Sequence, residues 1–314
     1  MNDKVYDVMI LGAGPAGLAA GIYAGRADLS VLIVEKGIDG GQIALSHKVE
    51  NYPGQSGIDG MSGLDLVMPM SEQCRKFGCA RLSDVISSCE LDGDIKKLVG
   101  SKGEYLARTL IICTGAMTRF IGCENEAKYV GMGVSYCAVC DANFFRGLEV
   151  YTVGSNEIAA EESLYLAKFA RKVTMLGRSR APAVSKQMRE RLEADGKISY
   201  MGGVEVESLG GDELLSEITV RDVDSGERIT LKADAEDGFF GLFGFTGKKT
   251  TAMFDGLLDM ENGYIKTNEK METNIPGVYA AGDVRVTPLR QVVTACADGA
   301  IAAMQCGKYL GTSK

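Results

Sequence analysis

An α/β fold of two Rossmann-like, three-layer ββα nucleotide-binding domains, the second inserted in the first, is what this sequence predicts. Three observations carry the prediction. The chain opens on a strand, a glycine-rich turn, an alanine-rich helix and a second strand, which together make a βαβ unit. A second βαβ unit starts at residue 149, and such duplication points to two related domains. A late strand and turn at 277–283 reads as a segment that returns to the first domain.

Each element follows from its residues. Residues 5–11, Val-Tyr-Asp-Val-Met-Ile-Leu, are the short apolar run of a buried parallel strand. The turn Gly12-Ala13-Gly14-Pro15-Ala16-Gly17 follows, then a helix over 15–25 and a strand over 30–35. Leu110-Ile-Ile-Cys-Thr-Gly115 reads as a buried strand leaving the first domain. The second unit runs through a strand at 149–153, a turn at Gly154, a helix at 159–169 and a strand at 172–176. The first domain is therefore expected at 1–115 and 245–314, with 116–244 inserted. Gly115 and the glycine-rich stretch 238–247 are the candidate hinges.

Composition narrows the class. At 314 residues the chain is long enough for two ordinary domains. Hydrophobic residues make up 46%, enough for sizeable cores, and 24% charged residues argue against disorder. A formal net charge of −8 argues against a nucleic-acid partner. Nine cysteines are too few for a disulfide scaffold and fit reduced thiols in a cytoplasmic protein. Met1 leads almost directly into a strand, so no signal peptide is expected. The least polar stretch, 8–25, passes as a membrane span on hydropathy alone, but the glycine turn and Pro15 explain it better.

The first turn is a nucleotide site. Gly12 permits the tight turn, Gly14 lets backbone approach a pyrophosphate, and Gly17 lets helix pack on strand. Pro15 and Ala16 begin the helix whose free N–H groups would face the phosphates. Glu35, at the end of the second strand, can accept ribose hydroxyls. FAD and NAD share this fingerprint, so it does not choose between them. Ala280-Ala281-Gly282-Asp283 favours FAD, because its aspartate could hold a ribitol or a pyrophosphate.

The pair Cys137-Ala138-Val139-Cys140, followed at once by Asp141, carries the second chemistry. Two cysteines so spaced can close a small disulfide that opens during turnover, and thiols at a helix start have lowered pKa values. Asp141 could pass a proton to or from a sulfur, since reducing a disulfide consumes protons. A structural zinc site needs a second pair, and no other C-x-x-C occurs, so no metal is expected. A merely buried pair is the remaining alternative. Cys74, Cys79, Cys89, Cys113, Cys123, Cys296 and Cys306 read as core or surface thiols. The sole histidine, His47, sits in a polar loop before Asn51.

The segments Gly12 to Gly17, Gly40-Gly41-Gln42, Val49-Glu-Asn-Tyr-Pro-Gly54, Thr114-Gly115-Ala116, Gly133-Val-Ser-Tyr-Cys-Ala-Val-Cys-Asp141, Gly282-Asp283 and Arg290-Gln291 share one resemblance. Along nearly its whole length the chain resembles the low-molecular-weight thioredoxin reductases. The resemblance implies FAD as cofactor, thioredoxin as partner and a homodimer. It implies flavin contacts from Lys36 beside Glu35, from Gly40, Gly41, Gln42 and Asn51, and from Thr114, Gly115, Gly282, Asp283, Arg290, Gln291 and Val292. Val85 would meet the adenine through its backbone. Cys140 becomes the sulfur facing the flavin, and Cys137 the thiol that attacks thioredoxin.

The second nucleotide site departs from that family. Its NADPH site would carry Gly-x-Gly-x-x-Ala before Glu-Glu, whereas this chain has Gly154-Ser155-Asn156-Glu157-Ile158-Ala159 and then Ala160-Glu161-Glu162. Asn156 would fill space that the second glycine leaves for a pyrophosphate. The family's His-Arg-Arg clamp for a 2′-phosphate is Gly177-Arg178-Ser179 here. A branch of the family lacks the NADPH motifs and takes electrons from reduced ferredoxin, and the chain resembles that branch. Ferredoxins lie near about −400 mV and thioredoxin near about −270 mV, so the flow is downhill. Lys168, Arg171, Lys172, Arg178, Arg180, Lys186, Arg189 and Arg191 face Glu190 alone in one segment, a basic surface that could steer an acidic carrier. A solvated face with ordinary ion pairing is the alternative. NADPH as donor, and a dithiol oxidase working toward oxygen, stay open as rivals. The intact cysteine pair argues against a non-catalytic FAD-binding scaffold.

Overall fold

The computed structural model describes residues 4–46, 48–54, 60–116, 120–245 and 251–311. His47 and part of the glycine-rich stretch 238–247 lie outside them. In chain order the elements begin β1 (Val5–Leu11), α1 (Pro15–Arg26), β2 (Val31–Glu35), α2 (Gly63–Lys76), β3 (Ala80–Ser83), β4 (Ile86–Glu90), β5 (Lys96–Gly100) and β6 (Glu104–Ile112). Next come α3 (Glu126–Tyr129), β7 (Val134–Ser135), α4 (Ala138–Asp141), β8 (Glu149–Val153), α5 (Glu157–Leu166), β9 (Lys172–Gly177), α6 (Lys186–Ala194) and β10 (Ile198–Gly202). The rest are β11 (Val204–Gly210), β12 (Glu217–Asp222), β13 (Arg228–Lys232), β14 (Gly241–Gly244), β15 (Met260–Glu261), β16 (Tyr264–Ile265), β17 (Val278–Ala280) and α7 (Val292–Tyr309). The chain divides into two compact units, Met1–Met117 with Lys249–Lys314, and Thr118–Lys248.

In the first unit the parallel strands run β3-β2-β1-β6, and β6 is shared between two sheets' worth of partners. Its C-terminal half pairs in parallel with β17, Leu110 opposite Val278, while its N-terminal half pairs antiparallel with β5, Ala107 opposite Lys96. One face of the sheet packs Val8, Ile10 and Ile33 with Leu18 of α1 and Val67 of α2. The other face packs Met9, Leu11, Leu32 and Leu110 with Leu98, Phe254 and Leu258. Burial on both faces is why β1 and β2 read as unbroken apolar runs rather than alternating ones.

The second unit repeats the plan. Its parallel sheet runs β10-β9-β8-β14-β7, and β11-β12-β13 form an antiparallel meander. Val150, Met175 and Phe243 pack with Leu166 of α5 and Leu192 of α6. Tyr151, Leu176 and Leu242 pack with Ile218 and Val220 of the meander. Each unit is thus helix layer, parallel sheet and antiparallel layer, the three-layer arrangement expected from the sequence.

Three boundaries differ from expectation. The helix expected over 159–169 spans Glu157–Leu166, its start set by the Asn156 cap. The strand expected to reach Gly115 stops at Ile112, and Gly115 turns at φ +66°. The late strand spans only Val278–Ala280 before Gly282 turns at φ +79°. Among the described residues no helix is long and apolar enough to cross a membrane.

Candidate active site

In the first unit, two of the fingerprint glycines are demanded by the fold. Gly12 has φ +109°, and a methyl group there would sit 2.3 Å from Cys113 O. A methyl group on Gly17 would sit 2.0 Å from Gly12 O. Gly14 is different. Its φ is −73°, which any residue adopts, and the nearest atom to a methyl group there is Gly40 O at 4.0 Å. It is also the N-cap of α1 with no side chain closing the helix end. Fold alone does not require glycine at 14. A phosphate approaching the free N–H groups of Ala16 and Gly17 does.

Other groups converge on the same end of the sheet. Glu35 accepts the N–H of Ala13 and of Gly37, each at 2.9 Å, so its carboxylate sits beside the turn. Lys36 follows it on the surface. Gly40 donates to Ala13 O at 2.7 Å, Gly41 is left-handed at φ +61°, and the Gln42 amide donates to Ala116 O. Thr114 follows β6 beside Gly12, and its hydroxyl is the one buried side-chain oxygen without a partner among the described residues. Buried polar groups are normally bonded, so this oxygen is open to a partner that is not part of the described protein, such as a ligand or a water.

The late segment closes the ring. A methyl group on Gly282 would lie 2.9 Å from Ala16 Cβ, so the turn after β17 touches the first turn of α1. Asp298, on α7, fixes this turn: its Oδ2 accepts the Gly282 N–H and the Arg285 guanidinium, 3.1 Å each. Burial pushes the Asp283 carboxyl up to about 6, Arg290 pulling against it and Asp298 adding to it. Arg290 lies over the Tyr264 ring at 4.1 Å. Asn51 Nδ2 donates to Gln291 Oε1 at 2.9 Å, and Gln291 caps α7, whose first residue is Val292. An open glycine at a helix start, an orphan threonine hydroxyl and a half-buried aspartate at one sheet end fit a dinucleotide such as FAD.

Val85 is the weakest of the expected contacts. Its N–H already donates to Asp84 Oδ1 at 2.7 Å and its carbonyl accepts from Ser101 N–H at 3.1 Å. Only a second lone pair on that carbonyl is left for an adenine. Asp84 also takes hydrogen bonds from Ser101, Lys102 and Tyr105, which hold its carboxyl well below the usual range despite burial.

In the second unit Cys137 and Cys140 form a disulfide, Cα atoms 5.3 Å apart. Cys137 caps α4, its sulfur accepting the Cys140 N–H at 3.2 Å. Cys140 is exposed and Cys137 half-buried. Ser135, buried at the end of β7, binds the turn twice. Its hydroxyl donates to Asp141 Oδ2 at 2.5 Å and accepts the Cys137 N–H at 3.2 Å. Burial raises the Asp141 carboxyl above the ordinary value, and the Ser135 bond opposes that rise. A carboxyl so placed takes up a proton more readily than an exposed aspartate. Tyr136 donates to the buried Glu126, which also accepts the N–H of Ile121 and of Gly122, and this anchors the chain entering the disulfide turn. Sequence reasoning assigns no role to Ser135, although it lies within a matched segment; a hydroxyl two residues before the first cysteine is the signal.

The second nucleotide region is closed by its own side chains. Asn156 Oδ1 accepts the Ala159 N–H at 2.9 Å. Glu157 holds Ser185 through both its N–H at 2.9 Å and its hydroxyl at 2.8 Å, and Ala183 N–H donates to Ser155 O at 2.6 Å. The α5 start thus carries an amide cap, a carboxylate and a folded-back strand. Arg178 pairs with Glu205, and Arg180 with Asp222 and Asp224. Arg171 pairs with Asp234 and Asp237, Lys172 with Glu149 and Lys186 with Glu190. Most of the expected basic surface is therefore internally neutralised. Among the described residues no group of three or more metal-ligating side chains gathers.

Comparison with known proteins places these features in context. Residues 6–299 match the family model described as pyridine nucleotide-disulphide oxidoreductase. The chain is 44% identical over 310 residues to the thioredoxin reductase of Peptoclostridium acidaminophilum, covering 98% of each chain. It is 40% identical to the thioredoxin reductase of Bacillus subtilis, covering 98% of this chain and 96% of that one. Among solved structures, the thioredoxin reductase of Streptococcus pyogenes is 38% identical with a TM-score of 0.88, covering 98% of this chain and 99% of that one.

Proposed function

From its place among the low-molecular-weight thioredoxin reductases of the pyridine nucleotide-disulphide oxidoreductase family, to which this chain belongs, we propose a thioredoxin-disulfide reductase whose electrons come from reduced ferredoxin rather than NADPH. The family binds FAD, and the chain is a flavoprotein disulfide oxidoreductase. When bound, FAD supplies storage for electrons arriving one at a time and their delivery as a pair to a disulfide. In this reading residues 1–115 and 245–314 hold FAD, and 116–244 is a degenerate NADPH-type domain carrying the redox pair.

The residues divide the work. The α1 start with Gly14, Pro15, Ala16 and Gly17 takes the pyrophosphate, and Glu35 with Lys36 takes the adenosine end. Thr114, Asp283, Asn51 and Gln291 bind the rest. Cys140 receives the electron pair, and Cys137 attacks the thioredoxin disulfide. Asp141 stores the proton that the opening disulfide takes up. A cytoplasmic homodimer completes the proposal.

One observation carries the choice of donor: the Asn156 side chain, backed by Glu157, occupies the helix start that a pyridine nucleotide's pyrophosphate requires. The test is anaerobic. The oxidised FAD-loaded protein is mixed in turn with NADPH, NADH, a small dithiol and reduced ferredoxin, and flavin absorbance is followed. Bleaching by ferredoxin with thioredoxin reduced afterwards is expected. Fast bleaching by NADPH overturns the donor, and electrons passing from the small dithiol to oxygen overturn the direction.

A further inference from the structure

Helix α2 ends in a Schellman motif. Gly78, at φ +78°, donates to Arg75 O, and Cys79 donates to Cys74 O, both at 3.1 Å. This ending lays the second residue beyond the helix cap against the third residue from the helix end, a contact usually made by two apolar side chains. Here both are cysteines, and both are free thiols. Their sulfurs converge on one point of α1: a methyl group on Gly21 would lie 3.1 Å from Cys74 Sγ and 3.6 Å from Cys79 Sγ. Cys74 Sγ lies 3.1 Å from Leu18 O and Cys79 Sγ 3.1 Å from Gly21 O. Both cysteines line an open cavity of about 450 Å³, together with Asp39, Met68, Arg75 and Arg81. Cys113 and Cys306 are equally buried but do not line it.

We propose that Cys74 and Cys79 are a second redox pair, closed to a disulfide by a small hydroperoxide that enters this cavity. The Cys79 thiolate attacks one peroxide oxygen and breaks the O–O bond, leaving a sulfenic acid, and the departing hydroxide or alkoxide takes the proton that Cys79 gave up, for hydrogen peroxide as a first water. Cys74 then attacks the Cys79 sulfur, the S–O bond breaks, and the hydroxyl leaves with the Cys74 proton as a second water. The two sulfurs lose two electrons in all, and the peroxide oxygens gain them. The order of attack follows from the closeness of the two thiols, which pushes the Cys74 thiol up, with burial adding to it, and lowers that of Cys79. The product ties the end of α2 to the start of β3. It is separate from the Cys137–Cys140 chemistry and does not depend on the identity of the electron donor.

The test uses the full-length FAD-loaded chain carrying Cys137→Ser and Cys140→Ser, so that the established pair contributes no disulfide. The reduced protein is treated with hydrogen peroxide, unfolded in iodoacetamide and mapped by peptide mass. Cys74 and Cys79 should lose alkylation together and appear as one linked species lighter by two hydrogens, while Cys113 and Cys306 stay alkylated. In wild type the same treatment should yield a second disulfide beside 137–140, a measurement that stands if the double variant fails to fold. The proposal is overturned if both cysteines stay alkylated at doses that oxidise the half-buried Cys89, or if they reach sulfinic acid separately with no bond between them.

Discussion

Ser135 and Asp141 set the proton economy of the disulfide turn between them. Burial favours the neutral carboxyl, and the hydrogen bond from Ser135 favours the charged one. Removing the hydroxyl takes away the opposing influence, so the Asp141 carboxyl should hold its proton to higher pH in Ser135→Ala. If the protonated form is the active one, the alkaline limb of disulfide opening moves upward, and Ser135→Thr restores it. The check is the pH dependence of the rate at which the oxidised Cys137–Cys140 disulfide is reduced in a single turnover. An unmoved limb with a uniformly lower rate would mean that Ser135 only holds the backbone. At this scale the sequence was informative wherever chemistry lies in neighbouring residues. The disulfide and its aspartate are adjacent in the chain, and Gly12, Gly14 and Gly17 are spaced as a motif. Asp298 could not be read, because it meets Gly282 only after α7 has packed against the sheet end, sixteen residues on.

At the level of elements, α5 shows how one residue both builds a helix and closes a site. Asn156 satisfies an N–H that a nucleotide would otherwise take. Asn156→Ala should therefore cost about 1 kcal/mol of stability and Asn156→Gly only a few tenths, measured by urea unfolding. Equal costs would show that the side chain is not the cap. Strands β1, β2, β8 and β9 were legible as apolar runs because both of their faces are covered. Some antiparallel strands were not: β13 of the meander has mostly exposed residues and β4 of the first unit little better, so neither carries a strong pattern. The Glu157–Ser185 latch joins residues twenty-eight apart, and nothing local pairs them.

For the molecule as a whole, charge and docking meet. The chain is acidic, and the segment expected to be its basic exception is largely paired with carboxylates of the same unit. Lys168, Arg189 and Arg191 are its cations without a carboxylate partner among the described residues. In the proposed reading, steering of an acidic carrier would rest on these three. Arg189→Ala with Arg191→Ala should slow flavin reduction by ferredoxin at low salt, with the difference fading as ionic strength passes about 0.1 M. A rate unchanged at low salt would remove the segment from docking. Formal counting in the sequence overstated this surface, because the neutralising carboxylates come from β8, β11, β12 and the loop beyond β13.

The division of the first unit into 1–117 and 249–314 also has a meaning on the ribosome. Strand β17 must be added beside β6, and α7 laid on α1, after the whole insert of residues 118–248 has been made. The insert has its last strand, β14, before β17 is made, so its sheet can close while its host is still half-built. A cradle for the yellow prosthetic group that draws on Gly282, Asp283 and Gln291 can therefore be completed only after the insert has been synthesised, and a nascent chain that stalls late lacks it.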